Sequence, residues 1–229
     1  NRDTHKCENK FNNKMKNLII IGARGWGREV YNIAQGCISA GADFVVKGFL
    51  DGKTTALDGY KGYPPILSPV ETYLPQENDV FTCALGDPHF KKKYADIIKS
   101  KGGKFITLIH PTAHIGNNAE IGEGCIFSIN TNIGQDVTIG EFVTLDGYAS
   151  VGHDCKIGGY SHLGTQSSIG GFSTIEENVT VHPGARIVPH TKVGENVVIG
   201  VGSIVLKKIK PNCVVFGNPA KVIDQINNF

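Results

Sequence analysis

From Ile115 to Val205, an aliphatic residue or Phe occupies every sixth position. The series runs from Ile115, Ile121 and Phe127 through Ile199 and Val205, sixteen positions without a miss. Only 40% of the chain is hydrophobic, so chance does not supply such a series. A period of six fits neither one face of a helix nor an alternating strand. It is the mark of a parallel β-helix built from hexapeptide repeats. Three hexads close one coil of 18 residues, which gives about five coils stacked at roughly 4.8 Å per rung. Gly follows the aliphatic position in ten of the sixteen hexads, where a tight corner needs conformational freedom. The fifth position is small or β-branched, as at Ala119, Thr131, Ser161 and Ser167. Cys125 and Cys155 fall there too, which makes them small buried fillers.

The 18-residue coil allows positions to be compared across rungs. His153 and Gly171 are 18 apart and lie on adjacent rungs, and Asp154 follows His153 directly. Asp146, Gly164, His182 and Gly200 form a second column. His162 is nine residues past His153, half a coil away, so the two histidines do not meet merely by being close in sequence. Neighbouring faces or neighbouring subunits would have to bring them together.

Before the hexads, the chain reads as a small α/β domain. Lys16–Ile21 is a buried parallel strand, followed by Gly22-Ala23-Arg24-Gly25-Trp26-Gly27 and a helix over about Arg28–Ile38. A strand, a Gly-rich turn and a helix N-terminus can form an anion site from converging backbone N–H groups. The spacing is G-x-x-G-x-G rather than the dinucleotide fingerprint, and the glycines could equally serve only to pack strand against helix. Phe44–Leu50 is a second strand. Asp51 at its end suits a ribose or base contact and suits a turn equally well. Asp79–Leu85 is a third strand, Phe90–Lys101 a helix, and Lys104–Ile109 a fourth strand. Lys91, Lys92 and Lys93 read as a solvated basic face. The resulting division is a tag or disordered extension over 1–14, the α/β domain over 15–109, the β-helix over 110–211 and a tail over 212–229. Met15, the single Met, is a candidate natural start.

Composition excludes several classes. A net charge of +2 without a basic block gives no support to nucleic-acid binding. No apolar run approaches the roughly 18 residues of a membrane span. The opening residues lack the apolar core of a secretory signal. The six cysteines show no metal or redox spacing. Free thiols without a signal point to the cytoplasm.

Beyond the hexads, Leu18–Val30, Ile109-His110-Pro111, Val151-Gly152-His153-Asp154-Cys155, Ser161-His162-Leu163-Gly164 and Gly217-Asn218-Pro219-Ala220-Lys221 stand out. In these segments the chain resembles the NeuD-like (sialic-acid O-acetyltransferase) family of sugar acyltransferases. That family includes N-acetyltransferases for nucleotide-linked 4-amino sugars such as bacillosamine and perosamine precursors. The resemblance implies a Rossmann-like nucleotide-sugar-binding α/β domain joined to a left-handed β-helix. It also implies a homotrimer with sites between adjacent helices, and acetyl-CoA as acyl donor without a metal. His153 matches the catalytic base and Asp154 its orienting partner. Imidazole has a suitable pKa to take a proton at neutral pH, and a carboxylate fixes its tautomer. Gly171 matches the residue whose N–H holds the acetyl carbonyl, a plausible oxyanion donor, and His162 matches a second histidine near the acetyl group. The pantetheine arm is expected near Pro183, Gly200, Val201 and Gly202, and the adenine end near Pro219 and Lys221. The nucleotide sugar is expected at Gly22, Ala23, Arg24, Gly25, Trp26, Gly27 and Asp51, with Asp146 near the acceptor. The chain departs from the pattern in three places. Trp26 stands where many relatives have a His that contacts the diphosphate. Asp146 stands where several amino-sugar N-acetyltransferases have Asn. Val181-His182-Pro183-Gly184 is stiffer and more polar than the usual segment.

The expectation is an acetyl-CoA-dependent transfer to an amino or hydroxyl group of a sugar in surface glycan synthesis. No G-x-S-x-G nucleophile elbow is present, so direct attack needs no acyl-enzyme. Two other readings remain at this stage. One is a non-enzymatic β-helix assembly module with a nucleotide-sensing domain. The other is a metal enzyme of the β-helix carbonic anhydrase kind, for which no third His is suitably spaced.

Overall fold

The computed structural model describes residues 15–226. The expected extension over 1–14 lies outside them. The N-terminal domain runs β1 (Lys16–Ile21), α1 (Gly25–Ser39), β2 (Phe44–Leu50), β3 (Ile66–Ser68), β4 (Asp79–Cys83), α2 (Pro88–Ser100) and β5 (Lys104–Phe105). These strands form one parallel sheet in the order β3-β2-β1-β4-β5. Leu18 to Ile21 are buried because β1 is central and both sheet faces are covered.

Helix α1 turns Val30, Ile33, Ala34 and Cys37 inward, the i, i+3, i+4, i+7 spacing of an amphipathic helix. It ends as Gly41 takes φ +97°, a conformation glycine adopts at no steric cost. The helix begins at Gly25, three residues before the expected start, so the last three residues of the glycine segment form its first turn. Helix α2 starts at Pro88 behind the N-cap Asp87, whose side chain accepts hydrogen bonds from the His89 and Phe90 amides. Strand β3 was not expected, because three residues after Pro64-Pro65 carry too short a pattern to read.

The strand expected over Lys104–Ile109 is two elements. Lys104–Phe105 completes the α/β sheet, while β6 (Leu108–Ile109) pairs with Ile126–Phe127 and is already a β-helix rung. Ile109 lies six residues before Ile115, so the hexad phase begins one repeat earlier than the sixteen-member series. At the other end Cys213–Phe216 adds a further parallel rung and Lys221–Gln225 returns antiparallel to it. The solenoid therefore exceeds the five coils expected. Its three faces hold six, five and seven parallel strands. Each rung pairs residues 18 apart, such as Val151 with Ile169. The aliphatic row fills one continuous core from Phe127 to Val215. Cys125 and Cys155 sit in that core, each thiol directed at a carbonyl 15 residues on.

Most corners carry a residue in the left-handed region. Asn118, Asp136, Asp154, Phe172 and His190 do so at 18-residue intervals along the corner after the six-stranded face. Phe142 and Tyr160 do so along the corner after the five-stranded face, where their stacked rings are buried beneath α2. Lys99 of α2 pairs with Glu123 and Glu141 on this corner.

Lys91 departs most from expectation. It is not part of a solvated basic face: it is 1% exposed. Its Nζ donates to the Phe142 carbonyl at 3.1 Å and to Thr144 Oγ1 at 3.0 Å, joining α2 to the β-helix. Burial pushes this lysine down to about 8.

Candidate active site

Two His–Asp pairs stand out among the titratable groups. The first lies on the corner after the six-stranded face. His153 Nδ1 meets Asp154 Oδ2 at 2.7 Å, and both side chains are nearly half exposed. The bond occupies one ring nitrogen and leaves Nε2 outward. A Cβ built on Gly171 would lie 2.9 Å from that Nε2, so the absent side chain gives the imidazole its place on the next rung. Among the described residues no backbone carbonyl accepts from the Gly171 N–H. His153, Asp154 and Gly171 are thus together, as the 18-residue column required. The same column holds two residues that the sequence reading passed over. The Phe172 ring stands edge-on to His153 at 5.0 Å and stacks on His190 at 4.9 Å.

The second pair lies at the seam between the domains. His162 Nε2 meets Asp146 Oδ2 at 2.9 Å, with only 15% and 19% of the side chains exposed. The Trp26 ring is 6.0 Å from the His162 ring. The His162 Nδ1 edge faces Gly86, 3.9 Å from where a Cβ would stand. Asp146 Oδ1 and Trp26 Nε1 are buried without a partner among the described residues. His162 therefore belongs with Asp146 and Trp26 in this chain, and no contact joins it to His153.

Next to this seam, a cavity of about 360 Å³ opens at the C-terminal ends of β1, β2 and β4. Gly22, Arg24, Trp26, Gly27 and Asp51 of the expected set line it, together with Glu71, Phe90 and Tyr94, while Ala23, Gly25 and Asp146 do not. Ligands in open α/β sheets bind at this end of the strands. The glycines divide their work. A Cβ on Gly27 would lie 1.9 Å from the Gly22 carbonyl oxygen, so Gly27 is required for packing. Nothing stands within 4 Å of a Cβ on Gly25, which leaves the start of α1 open. No side chain caps that helix start, so its first amides are available to an anion. Asp51 turns inward: one oxygen accepts from the Ala23 amide at 2.9 Å and the other from the Lys53 amide at 2.8 Å.

The residues expected to hold a long acyl-donor arm are on another corner. Pro183, Gly200, Val201 and Gly202 follow strands of the eight-stranded sheet, with Gly202 N–H bonded to the Pro183 carbonyl at 2.9 Å. Lys221 begins the antiparallel return on that sheet's edge, two residues past Pro219. Within one chain these do not gather around His153. Among the described residues no three His, Cys, Asp or Glu side chains converge on a metal position. None of the helices is long and apolar enough to cross a membrane.

Fold and site together define a hexapeptide-repeat protein with a nucleotide-type α/β domain. Residues 17–98 match the PglD N-terminal domain, and residues 172–207 match the bacterial transferase hexapeptide (six repeats). The chain thus carries a PglD-type N-terminal domain followed by bacterial transferase hexapeptide repeats. Among its relatives is a UDP-N-acetylbacillosamine N-acetyltransferase of Bacillus subtilis (strain 168), 31% identical over 116 residues, covering 49% of this chain and 51% of that protein. A serine acetyltransferase of Buchnera aphidicola subsp. Schizaphis graminum is 36% identical over 126 residues, covering 54% and 42%. The chain spans about half the length of these curated relatives. Among solved structures, the acetyltransferase domain of PglB from Neisseria gonorrhoeae FA1090 in complex with acetyl coenzyme A superimposes with a TM-score of 0.82. It is 26% identical over 91% of this chain and 99% of that one.

Proposed function

We propose that this protein transfers an acetyl group from acetyl-CoA to an amino or hydroxyl group of a nucleotide-linked sugar, in surface glycan biosynthesis. The observation that carries the reading is the corner where His153 Nε2 lies over Gly171 while Asp154 holds Nδ1. His153 with Nδ1–H donated to Asp154 presents a basic Nε2. It takes the proton from the acceptor nitrogen or oxygen as that atom attacks the thioester carbonyl carbon. The carbonyl oxygen gains the negative charge, and the unpaired Gly171 N–H is the donor for it. Collapse of the tetrahedral intermediate breaks the carbon–sulfur bond and releases CoA as thiolate, which takes up the proton. The acetyl-CoA-bound PglB domain and the named acetyltransferase relatives support the donor and the reaction class.

The nucleotide end is proposed to lie in the cavity by Gly22, Arg24, Gly25 and Trp26, with its phosphates at the open start of α1. The donor arm is proposed to run along Pro183, Gly200, Val201 and Gly202 of a neighbouring copy, since those residues lie on a different corner from His153. A cytoplasmic homotrimer fits that arrangement. The test is a panel of amino and neutral nucleotide sugars with acetyl-CoA, followed by thiol release and mass of the product. A mass gain of one acetyl group on one class is expected. No turnover across the panel, with acetyl-CoA also failing to bind by calorimetry at millimolar concentration, overturns the proposal.

A further inference from the structure

We propose that Phe172 is a positioning residue for His153, with His190 as its support. The inference rests on the reading of His153 as the proton acceptor. Four Phe or Tyr side chains occupy left-handed corners: Phe142, Tyr148, Tyr160 and Phe172. Bulky residues avoid this conformation. Phe142 and Tyr160 are buried under α2, where packing repays the strain. Phe172 and Tyr148 are 50% and 54% exposed and gain no such burial, but of these two only Phe172 has ring partners among the described residues. Its ring neighbours are two histidines, one on either side along the column. It meets His153 edge to face at an interplanar angle of 89° and stacks on His190 at 3°. The 5.0 Å and 4.9 Å separations fall within the attractive range for aromatic pairs.

His153 needs such a neighbour. Its partner Asp154 is adjacent in sequence and 43% exposed, and an exposed polar contact open to water holds two side chains weakly. Gly171 leaves space over Nε2 but restrains nothing. One wall is therefore missing from the imidazole's surroundings, and Phe172 supplies it. His190, itself at φ 60°, prevents the Phe172 ring from swinging up the column. The arrangement fixes the direction of Nε2 without touching a reacting atom. Orientation of that kind acts on turnover more than on substrate affinity.

The test uses the full-length protein. Phe172→Ala is expected to lower kcat by about 10- to 100-fold, the scale of a small misplacement, with KM for acetyl-CoA unchanged. Phe172→Tyr keeps the ring and is expected to restore turnover. Phe172→Leu keeps bulk without a ring and is not. His190→Ala, which leaves Phe172 in place, is expected to give a smaller loss than Phe172→Ala. Protein labelled with 13C-histidine supplies a readout independent of substrate: loss of the Phe172 ring current should move the His153 Cε1–H resonance and broaden it. An unchanged kcat overturns the inference, as does a loss confined to KM, or a His153 resonance equally sharp in Phe172→Ala. If the wild-type protein acetylates no sugar, the functional reading fails, and the resonance still decides whether Phe172 holds the ring.

Discussion

The two His–Asp pairs differ in exposure, in sequence separation and in the ring nitrogen that each uses. His153 and Asp154 are sequence neighbours on an exposed corner, and the bond uses Nδ1. His162 and Asp146 are 16 residues apart, mostly buried at the domain seam, and the bond uses Nε2. The first leaves a basic nitrogen facing solvent. The second ties its Nε2 to a carboxylate and wedges the ring between Trp26 and Gly86. An open pair can exchange a proton with a substrate at little structural cost. A packed pair ties the elements around it together. The same split appears within one turn of α1, where Gly25 is open and Gly27 is packed.

Replacing each histidine puts the greatest stress on this contrast. His153→Ala should lower kcat by at least about 100-fold while the midpoint of thermal unfolding stays the same. His162→Ala should cost stability on the order of 1–3 kcal/mol, because it leaves the Asp146 carboxylate buried and unbonded. Denaturant unfolding and thiol-release kinetics on both variants decide the matter. Equal losses of turnover with equal stability would erase the distinction.

Lys91 sharpens it next. Burial holds its amine at about 8, below the usual 10.5. Between those values the unfolded chain binds more protons at this position than the fold does, so stability rises with pH across that window. Below about 8 the buried charge is carried at a cost, and above 10.5 the gain is complete, about 3 kcal/mol at most. Lys91→Met should lack this rise. Urea unfolding of both proteins at pH 7 and pH 10 measures it, and parallel pH dependence would show the amine is not desolvated. The smallest single effect is expected at Gly25, set against its neighbour Gly27. Gly27→Ala should cost about 1–3 kcal/mol as a methyl group is forced on the Gly22 carbonyl. Gly25→Ala should change stability by less than about 0.5 kcal/mol. Thermal melts compare the two, and the reverse order would refute the packing assignment.

The β-helix was open to reading because each hexad obeys one local rule, and the 18-residue coil carried that rule to Gly171 over His153. Phe172 and His190 stood in the same column and were equally readable by counting on from Asp154. The seam was not. Nothing in Lys91-Lys92-Lys93 marks which lysine turns inward, since that depends on where α2 rests against Phe142 and Thr144. Nor does a 16-residue separation announce that His162 reaches Asp146, because the contact runs diagonally between rungs. The glycine segment left packing and anion binding open; the structure packs Gly27 against Gly22 and leaves Gly25 open.

The fastening of α2 to the β-helix has one more consequence. Lys91 and Lys99 attach the N-terminal domain at Glu123, Glu141, Phe142 and Thr144, and the His153 corner follows within the next coil. The solenoid therefore works as a ruler graduated at roughly 4.8 Å. An insertion of 18 residues between Thr144 and His153 would preserve the inward row while parting Phe142 from Tyr160 by one rung. It would also carry His153 one graduation away from the cavity by Trp26. Distance along this fold is written in whole coils.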